Sequence, residues 1–424
     1  MGIVGDVSIC LIALIILLYA WSVLKSRDRS KMWCPLTFVL LTYIYYIMIP
    51  YFDESPIYGI SIKNIKYLTA FCALLHLLFY LIGFSLSIKK SFKHFNSLID
   101  KSNCGKIALI LFVISYLIYV PYGGFRFSIF TQADDVSMLE GATGGAFYAL
   151  NMISVLTVSC CLFLNRPRHN LFWILFLFLL TIVTYVVGGF RYRLVVLIIS
   201  AFTFYHLYDL NRKIRWMIII PTSVVTMFFF IIIGNSRDYG NGLNYNNVAE
   251  LSINDLVNSE GTGENKSVFE FSTLALDDFQ RRDLIFLEPV WCALTMPIPR
   301  SVYSSKPNAD YLRKAQDRVF GTTSMGAANL NFVEGYMSFG WIRVCLYGLI
   351  FGMLSKIYWN NYINNRNSVA AIIMLAVYNG MTYFIISRGY LAGAVTAFVF
   401  YMLVPFWMII VVRFLLKAVG LKWL

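Results

Sequence analysis

Residues 291–341 read WCALTMPIPRSVYSSKPNADYLRKAQDRVFGTTSMGAANLNFVEGYMSFGW. The stretch ends a long polar segment, and apolar runs lie on both sides of that segment. Pro297 and Pro299 disfavour helix before Arg300, and Pro307 directly follows Lys306, so both cations sit on stiff, turned backbone. A short helix is expected from an Asn308 cap to Gly321, a residue suited to the left-handed position after a helix. The chain is then expected to pass into an apolar span through Glu334-Gly-Tyr-Met-Ser-Phe-Gly340. Spaced cations and one carboxylate at the edge of a span suit an anionic headgroup. The competing reading is an ordered loop whose charges face water.

Outward from this stretch, the composition sets the class. Of 424 residues 59% are hydrophobic and only 13% charged, which excludes an ordinary soluble globule. Apolar runs long enough to cross a hydrocarbon core recur about eleven times, predicting an all-α polytopic membrane protein with one long loop containing short helices. Residues 1–234 would carry spans one to eight, 235–339 the long loop with the candidate active site, and 340–424 spans nine to eleven. The formal charge is +13, yet between Asn235 and Ser338 nine Lys/Arg face thirteen Asp/Glu, a net −4 that leaves +17 elsewhere. Most of that excess lies in short loops, such as Lys25–Lys31, Lys89–Lys106, Arg166–Arg168 and Arg212–Arg215. By the positive-inside rule these loops are cytoplasmic, the N-terminus and long loop are outside, and the C-terminus is inside. The basic balance is therefore topological and implies no nucleic-acid partner. Eight cysteines contain no CxxC pair, and Cys292 alone falls in the long loop, so no disulfide is expected there.

Several cations run against that charge bias. Gly123-Gly-Phe-Arg126 and Gly188-Gly-Phe-Arg191 are identical tetrapeptides, and Ser387-Arg388-Gly389 is similar. Arg193 follows the second, and Arg237 follows the eighth span. Arginine offers a planar fork for phosphate oxygens, and glycine permits close approach. Two readings are open. These groups, with Arg300 and Lys306, share an anion site, or each simply snorkels to lipid headgroups.

The four histidines narrow the chemistry. His94, His169 and His206 are placed on the cytoplasmic side, and His76 falls mid-span, where packing is expected. With none outside, a histidine base and a histidine zinc site are not expected there. Base chemistry falls to a carboxylate or water. Glu334 leads at the edge of a span, Asp238 and Asp278 are the other candidates, and any of them could instead partner an arginine. With no acidic cluster and no nucleotide motif, neither metal nor cofactor is expected.

The Gly-Gly-Phe-Arg turn, the long loop, the Pro299-Arg300 to Lys306-Pro307 segment and the Glu334–Gly340 exit resemble the Wzy-type O-antigen polymerases. The likeness is motif-like from about residue 188 to 340. It implies a C-type glycosyltransferase of the bacterial inner membrane, polymerising undecaprenyl-diphosphate-linked oligosaccharides within the membrane lipid at the periplasmic face. It further implies that Arg191, Arg193, Arg300 and Lys306 hold the diphosphate. The shared-anion-site reading of the outer arginines adds Arg126, Arg237 and Arg388, and the Glu334–Gly340 exit adds Tyr336, as expected substrate contacts. A chain-length regulator is the protein partner implied. The rivals are a lipid-linked oligosaccharide flippase, which should show charges mid-membrane, and an O-antigen ligase, which typically uses a loop histidine.

Overall fold

The computed structural model describes residues 2–53, 60–86, 191–208, 264–296, 310–321, 328–388 and 390–418. It also describes residues 92, 96, 99, 110, 210, 237–238, 242–243, 298 and 302–307. The apolar runs form helices, because only a helix satisfies its own backbone polar groups in hydrocarbon. In chain order the helices are α1 Gly2–Lys25, α2 Pro35–Phe52, α3 Lys66–Ser85 and α4 Arg191–Tyr208. The long loop contributes α5 Glu264–Gln280, α6 Glu288–Thr295, α7 Asp310–Phe320 and α8 Asn331–Phe339. Then follow α9 Trp341–Asn364 and α10 Val369–Ser387. The last helix, α11, runs from Leu391–Phe398 through a π turn into Val404–Ala418.

The π turns in α2 (Ile44–Met48) and α11 (Val399–Leu403) share a cause. Each ends two residues before a proline, Pro50 or Pro405, which cannot donate to the carbonyl one turn back, so the ladder locally shifts to wider bonds.

Six described helices are long and apolar enough to cross a membrane: α1, α2, α3, α9, α10 and the first part of α11. The expected seventh run appears as α4. The expected fourth, fifth, sixth and eighth runs lie outside the described residues. One small departure from an all-helical chain is the antiparallel pair β1 Arg237–Asp238 and β2 Gly242–Leu243.

Helix α10 is the axis of the bundle, with nearly every residue buried, and it touches α2, α4 and α9. Helices α3 and α9 run side by side in the same direction at very close range. Side chains added at Gly83, Gly348 or Gly352 would collide with backbone of the facing helix, at Leu349, His76 and Tyr80 respectively. Small residues spaced four apart permit this backbone approach.

The bundle has two distinct ends. At one, Arg366 pairs with Asp28 at 2.6 Å, Asn361 Nδ2 donates to Asn96 at 3.3 Å, and Arg29 reaches the Leu210 carbonyl at 3.5 Å. The connections following α1, α3, α4 and α9 therefore gather at a single end, and these are segments assigned by charge to one side. At the other end Lys266 pairs with Asp53 at 2.7 Å and Arg388 with Glu264 at 2.6 Å. Helix α5 lies here across α2 and α3, with Asn265 donating to the Tyr45 carbonyl and Thr273 bonded to Thr69.

The path from loop to span differs from a simple descent. The chain is already inside the bundle at Asn331, whose amide meets His76 Nε2 at 3.3 Å, while the Leu330 N–H donates to Ser272 Oγ at 3.0 Å. Helix α8 climbs back from the level of His76. Gly340, at φ 60° and ψ −146°, then reverses the chain into α9, whose Trp341 ring meets Phe71 near the start of α3. That backbone region is essentially confined to glycine, which is why the reversal falls there.

Candidate functional site

Helix α8 carries Glu334 in its first turn, where a carboxylate suits the helix dipole. Its side chain is completely buried. Oε1 accepts a short hydrogen bond from the Tyr311 hydroxyl of α7. Oε2 accepts from the Leu391 N–H, the first of α11, at 2.6 Å and from the Tyr347 hydroxyl of α9 at 3.2 Å. One carboxylate thus joins three elements that are far apart in sequence. Gly335 makes the approach possible, since a side chain there would press on the Tyr347 ring and the α9 backbone.

The electrostatics of Glu334 are a contest. Burial raises its pKa to about 7, and the bonds from Tyr311, Leu391 and Tyr347 with the charge of Arg343 hold it from rising further. Burial, with the adjacent carboxylate, also pushes the Tyr311 hydroxyl well above its ordinary range. Tyr311 therefore remains a donor. The Glu334 carboxyl can exchange a proton near neutrality, the property required of a general base.

The neighbouring turn between α10 and α11 receives a second carboxylate. Arg388, at the end of α10, donates to Glu264 Oε1, which also accepts from the Tyr46 hydroxyl at 3.1 Å. Three residues later Leu391 donates to Glu334. Of the residues singled out in the sequence, Glu334 and Arg388 are brought to this one turn. Tyr336 lies on α8 two residues from Glu334, buried with its ring edge-on to Trp341.

Other candidates have different partners. Lys306 donates to the carbonyls of Met296 and Ile298 at 3.1 and 2.8 Å, closing the end of α6. Asp278 accepts from Arg282 at 2.7 Å and Arg318 at 2.9 Å, tying α5 to α7. Partial burial opposes its ionisation, but these two arginines hold its carboxyl below the usual range. Arg237 and Asp238 form β1, and Arg191 and Arg193 fall in the first turn of α4, where only the backbone is described. Arg126, Arg300 and the Asn308 cap lie outside the described residues. The short helix ends as expected, with Gly321 at φ 66° donating to Asp317.

Sequence reasoning did not single out Tyr311, Tyr347 or Glu264. The tyrosines carry no local signal, because each reaches Glu334 only through tertiary packing. Glu264 is one of thirteen loop carboxylates, and nothing in its neighbours marks it. His76 behaves as a packed residue, bonded to Tyr43 at 2.6 Å and to Asn331.

The arrangement defines a polytopic helical membrane protein whose loop helices fold onto one end of the bundle and bury a protonatable carboxylate. The family model described as O-antigen polysaccharide polymerase Wzy matches residues 3–275, well over half of the chain, and the chain belongs to that family. Its members are glycosyltransferase-type polymerases acting on lipid-linked oligosaccharide repeat units in membranes. No curated protein and no solved structure matches the chain. The matched residues end before Asp278, Lys306, Glu334 and Arg388, so the roles of those side chains rest on geometry alone.

Proposed function

We propose that the protein polymerises undecaprenyl-diphosphate-linked repeat units into O-antigen or a related surface polysaccharide at the periplasmic face of the bacterial inner membrane, by metal-independent glycosyl transfer. Family membership supports the polymerisation, and the buried, proton-exchanging Glu334 is the observation that carries the mechanism. The growing glycan on its lipid diphosphate is the donor, and a lipid-linked single unit is the acceptor. Displacement of Tyr311 exposes Glu334, which takes the proton of an acceptor hydroxyl as that oxygen bonds to the anomeric carbon. The bond from that carbon to the diphosphate oxygen breaks, and the diphosphate leaves with the electron pair.

Arg388, released from Glu264, with Arg126, Arg191, Arg193, Arg237, Arg300 and Lys306, would neutralise the charge developing on the leaving group. Tyr336 would contact glycan, and Asp238 and Asp278 stand behind Glu334 as alternative bases, Asp278 being already engaged by two arginines. A chain-length regulator would act as a separate protein partner. The long loop, residues 235–339, excludes water so that the glycan is extended and not hydrolysed.

The test is a deletion strain. Lipid A capped by one repeat unit without ladders supports a polymerase, whereas no unit at all points to flippase or ligase. Purified protein should also build ladders in excess EDTA, and loss of activity restored by magnesium would overturn the metal-free mechanism.

A further inference from the structure

Helix α6 is a loop helix too short to span a bilayer, yet it is apolar on both sides. Cys292 and Ala293 are buried in a small cluster with Tyr311 and Ala392, where α6 packs on α7 and α11. The opposite side presents Leu287, Trp291 and Leu294, each more than half exposed and spaced along one face. A face of this kind turned to water would be costly, and among the described residues nothing covers it.

Its surroundings indicate what does. On α9, a helix long enough to cross a membrane, Ile342, Leu346 and Ile350 form an exposed apolar stripe one turn apart. That stripe continues to Phe339, whose ring meets Phe286 at 5.6 Å, directly before Leu287. The junction is fixed, not draped. The N–H groups of Ile285 and Phe286 donate to the Met337 and Ser338 carbonyls, and Arg343 donates to the Phe286 carbonyl at 3.2 Å. Charged residues precede the helix at Arg281, Arg282 and Asp283, all exposed. The pattern is a polar approach, a tryptophan, and an apolar face continuous with the exposed apolar stripe of a candidate membrane span.

We infer that α6 lies in the bilayer interface, its Leu287-Trp291-Leu294 face against lipid acyl chains, and anchors the loop to the membrane beside Glu334. The inference does not depend on the polymerase reading, because lipid contact can be measured without turnover.

The test is tryptophan quenching by brominated lipids in protein reconstituted into bilayers. The difference between wild-type and Trp291→Phe emission isolates Trp291. The same difference for Trp407→Phe reports an exposed residue of the span α11. Lipids brominated near the headgroup end of the chains should quench Trp291 about as strongly as mid-chain bromines quench Trp407. A Leu294→Trp, Trp291→Phe double variant supplies a second reporter if the first is weak, and should be quenched likewise. Quenching of the Trp291 component by aqueous iodide and not by bromolipid would overturn the inference by placing the face in water. Quenching by neither would overturn it as well, by showing that protein covers the helix.

Discussion

Glu334 meets opposing demands in one side chain. It is buried deeply enough to lose its charge readily, yet three donors favour the charged form. Removing the carboxylate in Glu334→Gln should slow polymerisation about 10²–10⁴-fold while leaving donor binding nearly intact, measured by single-turnover transfer of one glycan to one acceptor unit and by lipid-donor binding. Unchanged turnover would move the base elsewhere. With Glu334 as the proposed base, which acts in its ionised form, the rate should rise with pH through about 7. Tyr311→Phe removes a bond that favours that form, so its profile should move to higher pH. The stability effect has the opposite sense. Burial raises the folded carboxyl above its ordinary value of 4.5, so its stabilisation is complete below that value and is lost as pH rises to about 7. The melting temperature of Glu334→Gln should therefore gain on wild type across this interval. Asp278 predicts a contrast. Asp278→Asn should keep ladders but lower stability by about 0.5–1 kcal/mol in thermal unfolding, because it loses a partly exposed two-arginine link between α5 and α7.

At the scale of elements, the close pair α3 and α9 sets a hard limit on volume. Gly352→Val would drive a branched side chain into the Tyr80 carbonyl, and should cost about 1–3 kcal/mol or more, seen as loss of the monodisperse peak in size-exclusion chromatography. Gly340→Ala has open space for its methyl but a forbidden backbone region, so it should cost about 1–3 kcal/mol by strain alone. The first variant reports packing and the second geometry. Much of this layer was legible in the sequence. Span ends near Lys25, Phe52 and Ser387, and the helix closing at Gly321, follow from hydropathy, proline and glycine chemistry. The π turns could be suspected from Pro50 and Pro405 but not located, since a local proline does not say how the ladder will adjust. The climb of α8 out of the bundle was not legible. Residues 331–339 look like the head of the following span, and only the backbone at Gly340 reveals that they run against it.

For the whole molecule, the separation of charge between loops corresponds to a separation in space. The basic connections after α1, α3, α4 and α9 converge at one end, and α5 to α8 lie at the other. Labelling of single cysteines in intact cells should find positions near Lys31 and Arg366 shielded from an impermeant reagent and position 265 reachable. Labelling in the reverse sense would invert the protein and remove the periplasmic mechanism. The charge count made this two-sidedness readable, because membrane insertion acts on loop charge directly. The candidate site was readable only in part. Glu334 and Arg388 were named, but their convergence on the turn between α10 and α11 depends on contacts spanning more than fifty residues in sequence. The reversal at Gly340 has a consequence for hybrids built between related proteins. A crossover placed at the start of α9, where hydropathy marks a natural seam, would cut α8 from the helix it turns back against. It would also give Glu334 and Tyr347 different parents. Residues 331–364 should therefore be exchanged together, and hybrids joined before Leu330, which keep α8 with α9, should be more stable than those joined at Trp341.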